Sequence, residues 1–183
     1  MSTILILYTS IEGQTVRIAE RMAQTLRQSG HTAETLLALG RRIDLPLQRF
    51  DGIIVGASIH YGKHPPYLKS WVRDHRDDLQ ARPSAFFSVS LSGGGPGARP
   101  KTAQRYLERF QRETGWHPEQ TASLAGALQY SKYAAWKKWI MTKIVGFAGG
   151  DTDTTRDYEY TDWIAVDDFA AAFANRLGPA ARS

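Results

Sequence analysis

TILILYTSIEGQTVRIAERMAQTLRQSG, Thr3 to Gly30, decides the fold. Its first part, Thr3 to Tyr8, is a short continuous apolar run, the pattern of a strand buried on both faces of a parallel sheet. Thr9 and Ser10 stop it. From Gln14 to Gln28 the apolar positions Ile18, Met22 and Leu26 recur every four residues, and Ser29-Gly30 closes the segment, so the spacing predicts a helix laid on that sheet. Between strand and helix stands TSIEGQT, Thr9 to Thr15.

The alternation continues outward from this unit. His31 to Leu37 and Gly52 to Ala57 read as the second and third strands, and Tyr67 to Leu79 as a helix with Leu68, Trp71, Val72 and Leu79 turned inward. Ser84 to Ser90 is the fourth strand, Lys101 to Thr114 a helix, Thr121 to Leu128 the fifth strand, and Thr161 to Leu177 a last helix with Trp163, Val166, Phe169, Ala170 and Phe173 on its inner side. Five strands alternating with helices predict an α/β fold with a doubly wound parallel sheet. At 183 residues the chain suits one domain, residues 1–177, followed by a disordered tail, 178–183. About thirty residues separate the fifth strand from the last helix, where such a domain normally uses a few. That excess is an insertion, residues 129–156.

Composition narrows the function. With 42% hydrophobic and 22% charged residues the chain is globular in type, and it has no cysteine, which excludes disulfides and thiolate metal sites and leaves any redox role to a group other than sulfur. The N-terminus enters the first strand with no secretory leader pattern. No stretch reaches the roughly 18 to 20 apolar residues of a spanning helix. A formal charge of +5 and a pI near 9.6 suit an anionic partner.

In an open sheet of this type ligands bind beyond the carboxyl ends of the strands, where strand order reverses. Three loops should meet there. In TSIEGQT the hydroxyls of Thr9, Ser10 and Thr15, with the amides of the helix N-terminus, can wrap a phosphate; equally, Ser10 or Thr9 can simply cap the helix. The loop is neither GxGxxG nor GxxxxGK[ST], which speaks against a dinucleotide or a triphosphate. In SIHYG, Ser58 to Gly62, Tyr61 or His60 can stack on a planar ring or merely pack at a strand end. SGGGPG, Ser92 to Gly97, lets backbone approach a ligand closely or serves as a plain flexible loop.

Together the three loops resemble the flavodoxin pattern, in which the first loop holds the FMN phosphate and the loops after strands three and four sandwich the isoalloxazine. The blocks TSIEGQT, GASIHYGKH, PSAFFSVSL, AGALQYSKY, GGDTDT and YTDW, in this order and spacing, resemble the menaquinone-dependent protoporphyrinogen oxidase family of bacterial haem synthesis. The resemblance runs over nearly the whole chain. It implies a flavodoxin-like enzyme that uses FMN to oxidise protoporphyrinogen IX to protoporphyrin IX and passes the electrons to a membrane quinone, menaquinone or ubiquinone. It implies FMN contacts at Thr9, Ser10, Ile11, Glu12, Gly13, Gln14 and Thr15, at Ser58, Ile59, His60, Tyr61 and Gly62, at Ser88, Val89, Ser90 and Leu91, and at Gly126 and Ala127. Loop position adds His60 and Arg99 as candidates to touch substrate, Arg99 because a guanidinium pairs with a propionate. No general base is named, since the redox chemistry belongs to the flavin. Flavodoxins that act only as electron carriers are usually acidic, whereas this chain is basic. A flavodoxin-like carrier and an NAD(P)H:quinone reductase on the same fold are the competing readings.

The insertion has its own signature. Tyr130 to Gly150 carries four lysines, five large aromatics and no acid. As a helix it would align Tyr133, Trp136, Ile140, Ile144 and Phe147 on one stripe flanked by Lys137 and Lys143, the composition of a helix lying on an anionic membrane surface. Packing on the sheet or sealing a homo-oligomer is the alternative use of that stripe. The interfacial reading makes the protein peripheral, on the cytoplasmic side of the cell membrane. Gly149 to Asp157, GGDTDTTRD, reads as a capping turn; EF-hand spacing is missing and no metal is expected. Lysines and aromatics also occur in nucleic-acid sites, but no fold signature of one is present, and no nucleic-acid partner is expected.

Overall fold

The structure, a computed structural model, describes residues 1–40, 43–95, 98–128 and 158–178. The first apolar run forms β1 (Thr3–Thr9), flanked by β2 (Thr32–Leu37) and β3 (Gly52–Ser58), so that Leu7 lies opposite both Leu36 and Val55. β4 (Ser84–Ser90) and β5 (Gln120–Ala125) extend the sheet beyond β3, all pairs are parallel, and the order is β2-β1-β3-β4-β5. The chain runs from β1 outward to β2 and then crosses back to β3. This reversal opens a crevice at the carboxyl ends of β1 and β3.

Both faces of the sheet are covered, which is why the central strands are apolar at every position rather than at alternate ones. Ile4, Ile6 and Tyr8 pack with Ile18, Met22 and Leu26 of α1 (Gln14–Gln28) and with Val166, Phe169 and Phe173 of α5 (Trp163–Arg176). On the opposite face Leu5 and Leu7 meet Leu68 and Trp71 of α2 (Pro66–Asp74), Leu79 of α3 (Arg76–Gln80), and Leu107 and Phe110 of α4 (Pro100–Thr114). Gly56 of β3 lies against the ring of Phe87 on β4, where an added Cβ would stand 2.1 Å from Cζ.

Three elements differ from the expectation. The helix expected over Tyr67 to Leu79 breaks at His75 into α2 and α3. There the imidazole stacks on Trp71 with centroids 4.6 Å apart, and Nδ1–H donates to the Trp71 carbonyl at 2.9 Å, closing the first helix with a side chain. The expected fifth strand leaves the sheet after Ala125, and its last residues, β6 (Ala127–Leu128), pair antiparallel with β7 (Tyr158–Glu159). The last helix starts at Trp163, because the Asp162 carboxylate accepts from the amides of Ile164 and Ala165 at 3.0 and 3.1 Å and caps it there. The whole of the expected insertion, including Tyr133, Trp136, Lys137, Ile140, Lys143, Ile144 and Phe147, lies outside the described residues, as does the tail beyond Gly178. No helix among the described residues is long and apolar enough to cross a membrane.

Candidate functional site

The carboxyl edge of the sheet carries a cleft of about 240 Å³, walled by the loops after β1, β3, β4 and β5. Short backbone bonds hold these loops together: Ile59 N–H donates to the Val89 carbonyl at 2.8 Å, Gly126 N–H to the Ser90 carbonyl at 3.1 Å, and Tyr160 N–H to the Gly126 carbonyl at 3.1 Å. Residues far apart in sequence are thus fixed on one rim.

The first loop does not cap the helix with a side chain. Its Ser10 hydroxyl accepts from the Gly13 amide at 3.1 Å, and Gly13, in the left-handed region at φ 94°, stands at the helix N-cap without a side-chain bond to the first turn. Neither Ser10 nor Thr9 caps α1. Uncapped first-turn amides and the positive end of a helix are the arrangement that holds an anion. The Gln14 side chain is already committed, donating to Thr161 Oγ1 at 2.8 Å and accepting from Arg17 Nη1 at 3.2 Å. Gln14 can therefore offer a ligand its backbone amide only.

The second loop is a two-residue hairpin. His60 and Lys63 exchange backbone bonds at 3.0 and 3.1 Å around Tyr61 (φ 47°) and Gly62 (φ 73°), both in the left-handed region that a type I′ turn requires. Tyr61 is the one non-glycine residue with positive φ among those described, and its ring is 71% exposed beside the imidazole of His60, 4.1 Å away. Exposed Ile11 also lines the cleft. These two apolar surfaces suit a flat ring system.

The third loop has a different role from the one its glycines suggest. A Cβ at Gly93 would stand 2.4 Å from the Leu124 carbonyl oxygen, and one at Gly95 2.6 Å from the Tyr160 ring. Close approach to the protein's own β5 explains Gly93, and Gly95 combines a close approach to Tyr160 with a left-handed φ of 79°. Pro96 and Gly97 lie outside the described residues.

Of the candidate residues, Ser10, Ile11, Glu12, Gln14, Thr15, Ser58 to Gly62, Val89, Ser90, Leu91, Gly126 and Ala127 line the cleft; Thr9, Gly13, Ser88 and Arg99 do not. Thr9 is buried beneath the first loop. Ser88 is buried as well, with its hydroxyl 2.9 Å from His64 Nε2. Arg99 caps α4, its carbonyl accepting from Thr102 and Ala103 at 2.9 and 3.0 Å. Burial, aided by Lys69 and Arg109 against the opposing Glu113, pushes the His64 imidazole down to about 4, so it is neutral near pH 7. Two further lining residues are Ser92 and Tyr106. Tyr106 sits at the edge of the buried stripe of α4 formed by Ala103, Leu107 and Phe110, so its marginal position was readable, but only the topology turns it toward the cleft.

The donor set fits a group with a phosphate, a polar spacer and a flat ring. The hydroxyls of Ser58 and Ser90 are buried on the cleft wall with no hydrogen-bond partner among the described residues. Orphaned groups of this kind ask for a ligand or an ordered water.

Comparison with known proteins agrees with this geometry. Residues 5–155 match the model of the flavodoxin domain family. The chain is 35% identical over 172 residues to a protein named protoporphyrinogen IX dehydrogenase (quinone) from Escherichia coli strain K12, covering 93% of this chain and 94% of that one. It is 32% identical over 170 residues to a protein of the same name from Leishmania major, covering 93% and 74%. Among solved structures, oxidised flavodoxin 1 from Bacillus cereus superposes with a TM-score of 0.58 at 18% identity, covering 97% of this chain and all of that one. A short-chain flavodoxin associated with a non-canonical PDU bacterial microcompartment gives 0.60 at 12% identity over 97% of this chain and 100% of that chain. These likenesses establish the fold, and the flavodoxin domain implies a flavin.

Proposed function

The chain belongs to the protoporphyrinogen IX dehydrogenase (quinone) family, built on a flavodoxin domain, and from that premise we propose that it binds FMN in the cleft and oxidises protoporphyrinogen IX to protoporphyrin IX, with a membrane quinone as acceptor. The observation that carries the reading is the pairing of an uncapped α1 N-terminus with the orphaned hydroxyls of Ser58 and Ser90 on one cleft wall. The redox chemistry would be supplied by the bound flavin, with electrons taken from the tetrapyrrole and passed on to the quinone.

The residues themselves bind, orient and shield. The amides of Gln14 and Thr15 would hold the phosphate, Ser58 and Ser90 would hydrogen-bond the rest of the cofactor, and Tyr61 and Leu91 would flank its ring. The committed side chain of Gln14 fixes the first turn against Thr161 and so keeps those amides aimed at one point. His60, beside Tyr61 on this rim, is the candidate to touch substrate. A chain with a net charge of +5 suits a substrate bearing two propionates.

The insertion is the acceptor's side of the reaction. If that segment is helical, Tyr133, Trp136, Ile140, Ile144 and Phe147, with Lys137 and Lys143, would meet the anionic membrane surface and make the protein peripheral on the cytoplasmic side. The pairing of β6 with β7 supports this, because it anchors both ends of the insertion beside Gly126 and Ala127, which line the cleft.

The test is anaerobic turnover of the FMN-loaded protein with protoporphyrinogen and a menaquinone analogue. Porphyrin fluorescence should rise well above the uncatalysed rate. Its failure to do so sinks the oxidase reading, and quinone reduction driven by NADH instead would identify a quinone reductase.

A further inference from the structure

A second groove, of about 360 Å³, runs along the outer side of α4. Its wall is a helical ridge, Thr102, Arg105, Tyr106, Arg109 and Arg112, at offsets of three, four, seven and ten residues. Tyr106 belongs to both hollows. A ligand lying across Tyr106 would have one part in the cleft and another among three guanidinium groups.

The charges of this groove are unevenly matched. Glu113 is already doubly occupied, accepting from Lys69 Nζ at 2.8 Å and from Arg109 Nε at 2.7 Å, and these two cations hold its carboxyl down to about 2. Glu108 is on the groove and accepts from Gln104 Nε2 at 3.2 Å. It lies on the helix three residues from Arg105 and four from Arg112, yet forms an ion pair with neither. Arg105 and Arg112 have no carboxylate partner among the described residues. Along the helix axis the ridge from Tyr106 to Arg112 spans about 9 Å. Two neighbouring carboxylate arms on the rim of a flat macrocycle can reach such a ridge while the ring lies over the mouth of the cleft beside Tyr106.

We propose that Arg105 and Arg112 of α4, with Tyr106 between the two hollows, form the site that receives the carboxylate arms of the substrate and so set its orientation over the cleft. The proposal rests on the oxidase reading above. It assigns the orienting cations to the body of α4 instead of its cap at Arg99. Arginine suits the role because its planar fork pairs with a carboxylate through two parallel hydrogen bonds.

The test uses the FMN-loaded full chain and the variant Arg105→Gln/Arg112→Gln, with Arg76→Gln as a surface control. FMN affinity should be unchanged, KM for protoporphyrinogen should rise about tenfold or more, and kcat should be retained. The dimethyl ester, whose arms carry no charge, should be turned over equally by both proteins. Equal KM for the free acid overturns the proposal. So does a variant that keeps its KM in detergent but loses co-sedimentation with phosphatidylglycerol vesicles, since the ridge would then be a lipid surface. If the wild type turns over no protoporphyrinogen at all, the oxidase reading fails instead. Binding of the stable dicarboxylate protoporphyrin, read by quenching of its fluorescence, still decides the ridge: about tenfold weaker binding by the variant supports it, and equal binding refutes it.

Discussion

Two serines, two residues apart on the same face of β4, should respond to alanine in opposite ways. Ser90 Oγ is buried with no hydrogen-bond partner among the described residues, whereas buried Ser88 Oγ is 2.9 Å from His64 Nε2. An unsatisfied buried hydroxyl costs about 1–3 kcal/mol. Ser90→Ala removes that cost from the ligand-free protein, so its stability should rise by about 1 kcal/mol, or about 2–4 °C in Tm for a chain of this size. The same change deletes one hydrogen bond to the cofactor, and FMN should bind about two- to tenfold more weakly. Ser88→Ala leaves His64 without its partner and should destabilise both forms by about 1–3 kcal/mol while leaving FMN affinity nearly unchanged. Thermal unfolding without cofactor, paired with flavin-fluorescence titration, measures both quantities. A ligand-free Ser90→Ala protein less stable than wild type, or one that binds FMN equally well, refutes the assignment of this hydroxyl to the cofactor.

The remaining predictions use other parts of the same region. His64, held near 4 by burial, binds no proton in the folded state while its unfolded counterpart does so below about 6.5; the stability it protects is full above 6.5 and falls as pH drops toward 4, by about 3 kcal/mol at most. Urea unfolding should therefore show the gap between wild type and His64→Gln narrowing from pH 7 to pH 4.5, and parallel pH profiles would contradict it. Gly93→Ala drives a methyl against the Leu124 carbonyl and should cost at least about 2 kcal/mol in chemical denaturation; a change below about 0.5 kcal/mol would mean the loop does not pack there. Since Leu128 and Tyr158 are cross-strand neighbours, replacing residues 129–157 by Asn-Gly closes a two-residue hairpin. That protein should fold and bind FMN yet lose quinone-linked turnover on membranes, and full turnover would remove the insertion from the acceptor's path.

The parts of the fold legible in the sequence were those whose pattern is set by burial. β1, with Ile4 to Tyr8 buried on both faces, and α1, with Ile18, Met22 and Leu26 at zero exposure, carry the periodicities that two covered faces impose. The boundaries set by side-chain bonds were not legible. The helix break at His75 depends on a ring stacking on Trp71, and the end of β5 at Ala125 depends on a strand that returns more than thirty residues later. In the site, the loops at the sheet's carboxyl edge followed from topology, because only a strand-order reversal leaves a crevice there. Which atoms of each loop stay free did not. Gln14 looks like a ligand contact until its amide is seen spent on Thr161 and Arg17, and Ser88 differs from Ser90 only through a histidine that the chain brings from the loop after β3.

That histidine has a wider consequence. His64 lies edge-on to Phe86, Phe110 and Tyr106, with centroids 5.5, 5.0 and 6.5 Å away, so it joins β4, the core face of α4 and the one tyrosine shared by the two hollows. Kept neutral by burial beside Lys69 and Arg109, it adds no charge behind the cleft. The cationic field of α4 is left to Arg105 and Arg112 on the outer side. A charged His64 would add a buried cation behind Tyr106, and with both ring nitrogens protonated its Nε2–H could only donate to Ser88 Oγ. Burial therefore keeps His64 from adding positive charge between Ser88 and the core face of α4.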